Sequence, residues 1–284
     1  MGSDLEMSII VDDEITALRE HDKALAFGIS LEKRFSRFLP DSELTLLNTQ
    51  KSVEVSPEFL DVFLIGRTLY RETKGIFNPL VQIERFGYTK TFVSIEGIAP
   101  LEEETAYDTD MERIIVDEQT RRITLAEGQR LDFGGFLKGY AAEMMTRGMN
   151  NVAGAIVNLG GDIFTTGTDI DGKPFLFSVF NPVAESTEVS IPVENAGLAT
   201  SGTYRRAWET KRGRKHHILS GNGQDNPETD VISATVISTD GFRSDAYATT
   251  AIVLGSIDAQ LFLKVCGAQF VLITTSGSLI SNIS

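Results

Sequence analysis

Between Leu131 and Gly148 the chain reads LDFGGFLKGYAAEMMTRG, and this stretch limits the local fold more than any other. A short strand signal, Arg122 to Leu125, leads into it through Glu127-Gly128. From Gly135 onward it reads as a helix, with Gly148 as the C-terminal stop. Glycines ahead of a helix let the backbone approach a ligand closely. The first helical N–H groups carry a partial positive charge and Lys138 adds a full one, a combination suited to a phosphate. The segment matches neither G-x-G-x-x-G nor G-x-x-x-x-G-K-[ST], so the dinucleotide-fold and P-loop fingerprints are absent. Gly134 and Gly135 serve a strand-to-helix turn equally well with no ligand at all.

The rest of the chain places this segment in a mixed order of helices and strands. An apolar run, Met7 to Val11, and the acidic Asp12 to Glu14 precede Ile15, Leu18, Leu25, Ile29, Leu31 and Phe35. Their roughly helical spacing predicts a long helix ending near Phe38. A second helix is predicted from Ser56 as N-cap and Pro57 in the first turn, with Phe59, Leu60, Phe63, Leu64 and Tyr70 on one face and Gly75 past its end. Strands are predicted at Ala155–Leu159, Phe175–Phe180, Val231–Ser238, Ala251–Leu254 and Phe270–Thr274, the second of them buried on both faces, with a helix at Asp258–Val265. The Gly-, Asn-, Asp- and Ser-rich stretch Gly213–Thr229 reads as a surface excursion and not as a domain boundary. There is no regular βαβ alternation. The expected fold class is therefore α+β, one domain over residues 1–284 with a mixed, largely antiparallel sheet and flanking helices.

Composition narrows the function classes. A chain of 284 residues with 42% hydrophobic content buries about three quarters of its unfolded surface, enough for an enzyme-sized core. Subtracting 40 Asp+Glu from 26 Lys+Arg leaves a net charge of -14 with no basic run to offset it. A nucleic-acid binder needs the opposite balance, so nucleic acid is disfavoured as a partner, and so is an anionic membrane surface. Cys266 is the only cysteine, which excludes an intrachain disulfide and a thiolate zinc cluster. No basic, apolar leader opens MGSDLEMSIIV, and no stretch approaches about 18 uninterrupted apolar residues. As the chain stands, a cytoplasmic location and no membrane span are expected. If a signal or lipoprotein segment was trimmed, the location is periplasmic or membrane-anchored.

Three further constellations bear on chemistry. In Ser244-Asp245-Ala246-Tyr247-Ala248-Thr249-Thr250, a helical turn puts the Asp245 carboxylate and the Thr249 hydroxyl on one face. Two oxygen donors near a phosphate suit Mg²⁺, which completes its octahedron with water and substrate oxygens. The alternative is that Asp245 caps a helix and Thr249 faces solvent. Thr200-Ser201-Gly202-Thr203-Tyr204-Arg205, followed by His216-His217-Ile218, invites a hydrolase reading but lacks the G-x-S-x-G elbow. Adjacent histidines in an extended segment point to opposite sides, which disfavours a zinc pair. Asn158-Leu159-Gly160-Gly161-Asp162, read alone, is a strand ending in a tight turn.

Taken in order, these segments resemble the ApbE family of flavin transferases, the FAD:protein FMN transferases. Met1-Gly2-Ser3 echoes the family's M-G-T. Phe35-Ser36-Arg37-Phe38 and Ser42-Glu43-Leu44 through Asn48 match F-S-x-[YF]-x-x-x-S-E-L-x-x-L-N. Pro79-Leu80-Val81 matches P-L-V, and Asp132 to Glu143 matches D-x-G-G-x-x-K-G-Y-A-A-D/E. N-L-G-G-D, T-S-G-x-Y-R, a histidine and S-D-A-x-A-T then follow in family order, so the resemblance covers nearly the whole chain.

The resemblance implies an α+β, T-fold-like domain and an Mg²⁺-dependent enzyme. Such an enzyme takes FAD as substrate, transfers FMN to a Thr or Ser hydroxyl of an acceptor flavoprotein and releases AMP. The acceptor class it suggests is an FMN-binding redox-pump subunit or a flavin reductase. Carried over residue by residue, the FAD contacts fall on Met1, Phe38, the Glu84-Arg85-Phe86 segment, Asp132, Lys138 and Ile218. The metal ligands fall on Asp245 and Thr249 with the carbonyl of Gly135 and Ala248. His217 and Asp245 are the catalytic candidates, His217 helping to deprotonate the acceptor hydroxyl. The chain departs from the family in three places. Ser220-Gly221-Asn222-Gly223 replaces the Asp-Pro loop after the histidine, Glu84-Arg85-Phe86 replaces W-G-F, and Phe38 stands for a tyrosine. The same sites would serve an Mg²⁺-dependent FAD pyrophosphatase giving FMN and AMP, or a non-catalytic FAD-binding protein.

Overall fold

The computed structural model describes residues 4–86, 107–204, 207–210 and 213–283. In chain order it contains β1 (Leu5–Ile10), α1 (Glu14–Phe35), α2 (Glu43–Gln50), β2 (Ser52–Glu54), α3 (Pro57–Glu72), β3 (Ile115–Asp117), β4 (Arg122–Thr124) and α4 (Leu137–Arg147). There follow β5 (Gly154–Leu159), β6 (Asp162–Gly167), β7 (Phe175–Asn181), β8 (Ser186–Val193), β9 (Gly197–Gly202), β10 (Ala207–Thr210) and β11 (Gly213–His216). The chain closes with β12 (Val231–Ser238), α5 (Gly241–Val265), β13 (Gln269–Thr274) and β14 (Leu279–Ser281). These elements form two units: Met1–Leu31, Gly134–Gly202 and Thr229–Ser284 make the first, Glu32–Phe133 and Thr203–Glu228 the second.

The first unit is built on a seven-stranded sheet in the order β1-β5-β6-β9-β12-β13-β14. Every neighbouring pair in it is antiparallel, as the α+β expectation had it. Period-two alternation divides the side chains between its faces. Leu198, Ile237, Val271 and Ile273 pack against Val179, Ile191 and Val193 of the β7–β8 hairpin, while α5 packs on β9 and β12 with α4 alongside it. By length and composition α5 is apolar enough to cross a membrane, but more than half of that stretch is buried within the unit. It is a core helix.

Four local expectations are corrected. Ala251–Leu254 lies inside α5; a helix buried on a sheet shows the same short apolar run as a buried strand, and periodicity alone does not separate them. The strand at Phe175–Asn181 is covered on one face only, with Leu176 73% exposed, because β7 pairs with β8 in a two-stranded ribbon. The first helix ends at Phe35, and of its apolar residues Ile15, Leu18, Leu25 and Ile29 are exposed. Its buried positions are Glu20, Ala24, Leu31 and Phe35, where small Ala24 and Gly28 allow close approach, Gly28 lying against the Met145 sulfur. Finally, Gly213–Thr229, expected as a surface excursion and not a boundary, contains the change from the second unit to the first at Glu228–Thr229, and Ile218 and Leu219 within it are buried.

In the second unit the expected helix α3 is present, with Ser56 accepting from the Phe59 N–H and Pro57 at its first turn. Its core joins Phe35, Phe59 and Phe133, whose ring centroids lie 5.1–5.9 Å apart. Several motif residues prove to be structural. Ser42 caps α2 and donates to the Ser36 carbonyl, Glu43 accepts from the Ser56 N–H, and the buried Asn48 amide both donates to and accepts from the Leu131 backbone. Each cap or staple of this kind contributes about 1 kcal/mol.

Candidate functional site

In the first unit the site begins where α4 and α5 touch. A Cβ on Gly139 would overlap the Gly241 carbonyl oxygen, so the helices meet backbone to backbone at a point where only glycine fits. Buried Glu143, one turn along α4, accepts from the Gly241 N–H at 2.8 Å and fixes the start of α5. Burial pushes its carboxyl above the usual range. Asp245 stands one turn further into α5 and therefore faces the N-terminus of α4, whose own N-cap residue, Phe136, supplies no side-chain hydrogen bond. There its Oδ2 accepts from the Gly139 N–H at 3.3 Å and from Lys138 Nζ at 3.4 Å.

A third residue joins them. Lys138 also donates to Asp162, the first residue of β6, which the Asn158–Gly161 turn delivers: Asn158 Oδ1 accepts from the Gly161 N–H at 2.8 Å. Asp162 and Asp245 are each only 4% exposed. Burial, and then the neighbouring Asp162, raise the Asp245 carboxyl to about 7 against the opposing pull of Lys138 and the Gly139 N–H. One turn beyond Asp245, Thr249 Oγ1 lies 3.0 Å from Ser201 Oγ. Asp245 therefore does not cap its own helix but serves the first turn of α4, and Thr249 is tied to β9. Gly135 precedes α4, half-buried, and Ala248 is fully buried on α5.

This donor set suits a hard divalent cation. Two buried carboxylates share one ammonium, leaving these three groups with a net negative charge in a low-dielectric setting, and a hydroxyl stands one turn away. Among the described residues no group of three or more His, Cys, Asp or Glu side chains is placed to hold a metal. A cation here would rely on water and substrate oxygens to complete its shell, as Mg²⁺ does.

In the second unit the expected flavin-contact residues gather around Arg37. Its Nη1 donates to Glu84 Oε2 at 3.1 Å and its Nε lies 3.4 Å from Asp132 Oδ2. Its guanidinium also stacks 4.6 Å from the ring centre of Phe38. Asp132 reaches this position because its neighbours Leu131 and Phe133 are both buried, which turns the intervening side chain away from the core. Glu84 meets Arg130 as well, at 3.2 Å. Arg85 lies over Tyr107, 4.0 Å from the ring centre, and the Phe86 carbonyl accepts from Trp208 Nε1 at 2.7 Å. Trp208 belongs to the β10–β11 hairpin, so it ties the segment carrying the histidines to the Ile83–Phe86 turn.

Past that hairpin, the Asn226 side chain accepts from the His216 N–H and donates to the carbonyls of His216 and Ile218. It brackets His217, which is half-buried. His216 is held neutral: burial, then Arg214 and Lys215, lower its pKa to about 4. Met1 and Arg205 lie outside the described residues. Sequence reasoning missed Asp162, Ser201, Arg37 and Asn226 as site residues. For Asp162 the one available signal was a carboxylate immediately after a glycine turn.

The comparisons with known proteins agree with the motif resemblance. A model of the ApbE family matches residues 1–271 and so runs through both units. An FAD:protein FMN transferase of Klebsiella pneumoniae is 30% identical over 255 residues, covering 84% of this chain and 78% of the relative. One from Haemophilus influenzae is 25% identical over 273 residues, covering 90% and 79%. The fold is shared with an ApbE protein from Thermotoga maritima, with a TM-score of 0.84 and 23% identity over 97% of this chain and 93% of that one. It is also shared with the flavinyl transferase ApbE of Pseudomonas stutzeri, with a TM-score of 0.83 and 19% identity over 100% and 92%. On the strength of a match spanning nearly every residue, this chain belongs to the ApbE family.

Proposed function

We propose that this protein is an FAD:protein FMN transferase that moves FMN from FAD to a Thr or Ser hydroxyl of an acceptor flavoprotein and releases AMP, with Mg²⁺ required. The observation that carries this reading is the convergence of Lys138, Asp162 and Asp245 at the N-terminus of α4. A pyrophosphate needs its charge neutralised at fixed positions, and a lysine, a helix N-terminus and a carboxylate-held cation supply that. Asp245 and Thr249 would hold the metal with the carbonyl of Gly135 and Ala248. When bound, Mg²⁺ would offset the charge on the pyrophosphate oxygens.

The chain's own residues do the rest. Lys138 neutralises a phosphate oxygen. His217 accepts the proton of the acceptor hydroxyl as that oxygen bonds to the FMN phosphorus and the bond to AMP breaks. Arg37 holds Glu84 and Asp132 as paired acceptors for flavin or adenine N–H groups. The family match through both units supports treating residues 1–284 as one functional domain.

Incubation with FAD, Mg²⁺ and an FMN-binding redox-pump subunit or flavin reductase tests the reading. A covalent flavin on the acceptor is the expected result. Free FMN plus AMP with the acceptor unmodified would replace it with a pyrophosphatase, and bound, intact FAD with a binding protein. In the same assay, an unchanged rate for His217→Ala at every pH would remove the proton-accepting role.

A further inference from the structure

Among the described residues, two carboxylates meet the single ammonium of Lys138. Asp162 at the start of β6 and Asp245 on α5 both reach its ammonium. Both carboxylates are buried, so water contributes little to their solvation. The carboxylates are short side chains fixed to a sheet and to a core helix. Lysine is different: its compact charge rides on a flexible four-carbon stem and can move several ångströms without backbone change. The mobile partner in this cluster is therefore the cation.

We propose that Lys138 is a resident counter-ion: its ammonium occupies the cation position between Asp162 and Asp245 until a divalent metal displaces it, and the displaced ammonium then meets the phosphates of the substrate. Metal entry and lysine release become one event, and the metal binds before FAD. Asp162 is in this view the second carboxylate of the cation position and takes part in the exchange. The substrate end of the inference rests on the FMN-transfer reading, but the exchange itself involves the metal alone.

The test uses Mn²⁺ as the only ligand, added to metal-stripped protein without FAD and followed by calorimetry or electron paramagnetic resonance. Removing a positive charge a few ångströms from a cation site changes affinity on the scale of one or more pKa units. Lys138→Gln is therefore expected to bind Mn²⁺ about tenfold more tightly than wild type, and Asp162→Asn about tenfold more weakly. Lys138→Arg, which keeps the charge, should show no tightening. A lysine needed only to shape the site would give the opposite sign, so equal or weaker binding by Lys138→Gln overturns the proposal, as does tightening by Lys138→Arg. The wild-type protein supplies a check free of folding defects. In ¹⁵N-lysine spectra the Lys138 Nζ resonance should shift on adding Mg²⁺ without FAD, and an unmoved resonance at metal saturation also overturns it. Failure of FMN transfer with the Mn²⁺ results intact would reject the activity and leave the exchange standing.

Discussion

Gly139 and Gly241 touch backbone to backbone, and a Cβ on Gly139 would also stand 3.0 Å from the Cβ of Asp245. The helix crossing and the site geometry therefore depend on the same missing methyl group. Gly139→Ala must separate α4 from α5, and overpacking of this kind costs about 3 kcal/mol. We expect a lower thermal midpoint and loss of FMN transfer together. A Gly139→Ala protein with wild-type melting and activity would show that the crossing yields easily.

Asp245→Asn should divide stability from activity. Replacing one of two buried carboxylates by an amide leaves the Lys138–Asp162 ion pair in place and removes a buried negative charge. The metal-free variant is expected to be about 1 kcal/mol more stable than wild type, while transfer falls by about a hundredfold or more. Thermal melts in EDTA and transfer assays with Mg²⁺ check the two halves, and a destabilised variant would contradict the first.

Arg37→Met tests the second unit by itself. Glu84 and Asp132 would lose the guanidinium that holds both, at a cost of about 1–2 kcal/mol for partly exposed carboxylates. We expect about tenfold weaker FAD binding. Trp208, the one tryptophan in the sequence, lies in this unit bonded to the Phe86 carbonyl, so quenching of its emission by flavin reads the affinity directly. Arg37→Lys should recover little, because an ammonium cannot reproduce the planar fork.

The pH dependence of the same unit follows from His216. Its pKa is about 4 in the folded protein against an ordinary 6.5, so between those values the unfolded chain binds the extra proton. Stability contributed by the neutral imidazole is complete above about 6.5 and is lost as the pH falls toward about 4. Allowing for partial solvent screening, the loss is about 1–2 kcal/mol. Urea unfolding followed by Trp208 emission at pH values of about 7.5 and about 5 should show it, and His216→Gln should flatten the difference. An equally steep acid slope in that variant would point to other groups.

What the sequence made legible was local. Gly148 ends α4 and Ser56-Pro57 starts α3 as read, because caps and stops act within a few residues. The Asp245–Thr249 pair was visible because four residues along a helix define one face. Asp162 was not, since its meaning arises from a lysine 24 positions earlier and an aspartate on another helix. Arg37 was hidden in a variable motif position, and its role depends on Glu84 and Asp132 arriving from distant segments. Ala251–Leu254 was misread because a buried helix and a buried strand share a run of apolar residues. The Asn226 bracket around His217 replaces a family loop with contacts that no short-range rule anticipates.

The first unit is discontinuous along the chain, and this sets an order of assembly. Lys138 and Asp162 can pair early during synthesis, but Asp245 follows Lys138 by 107 residues and comes after the whole of the inserted Thr203–Glu228 segment. A chain stopped short of α5 therefore carries Lys138 and Asp162 without the second carboxylate that meets the same ammonium. Completion of the polypeptide is thus what brings the second carboxylate to Lys138, so a prematurely terminated product would lack the proposed cation position while keeping the whole of the second unit.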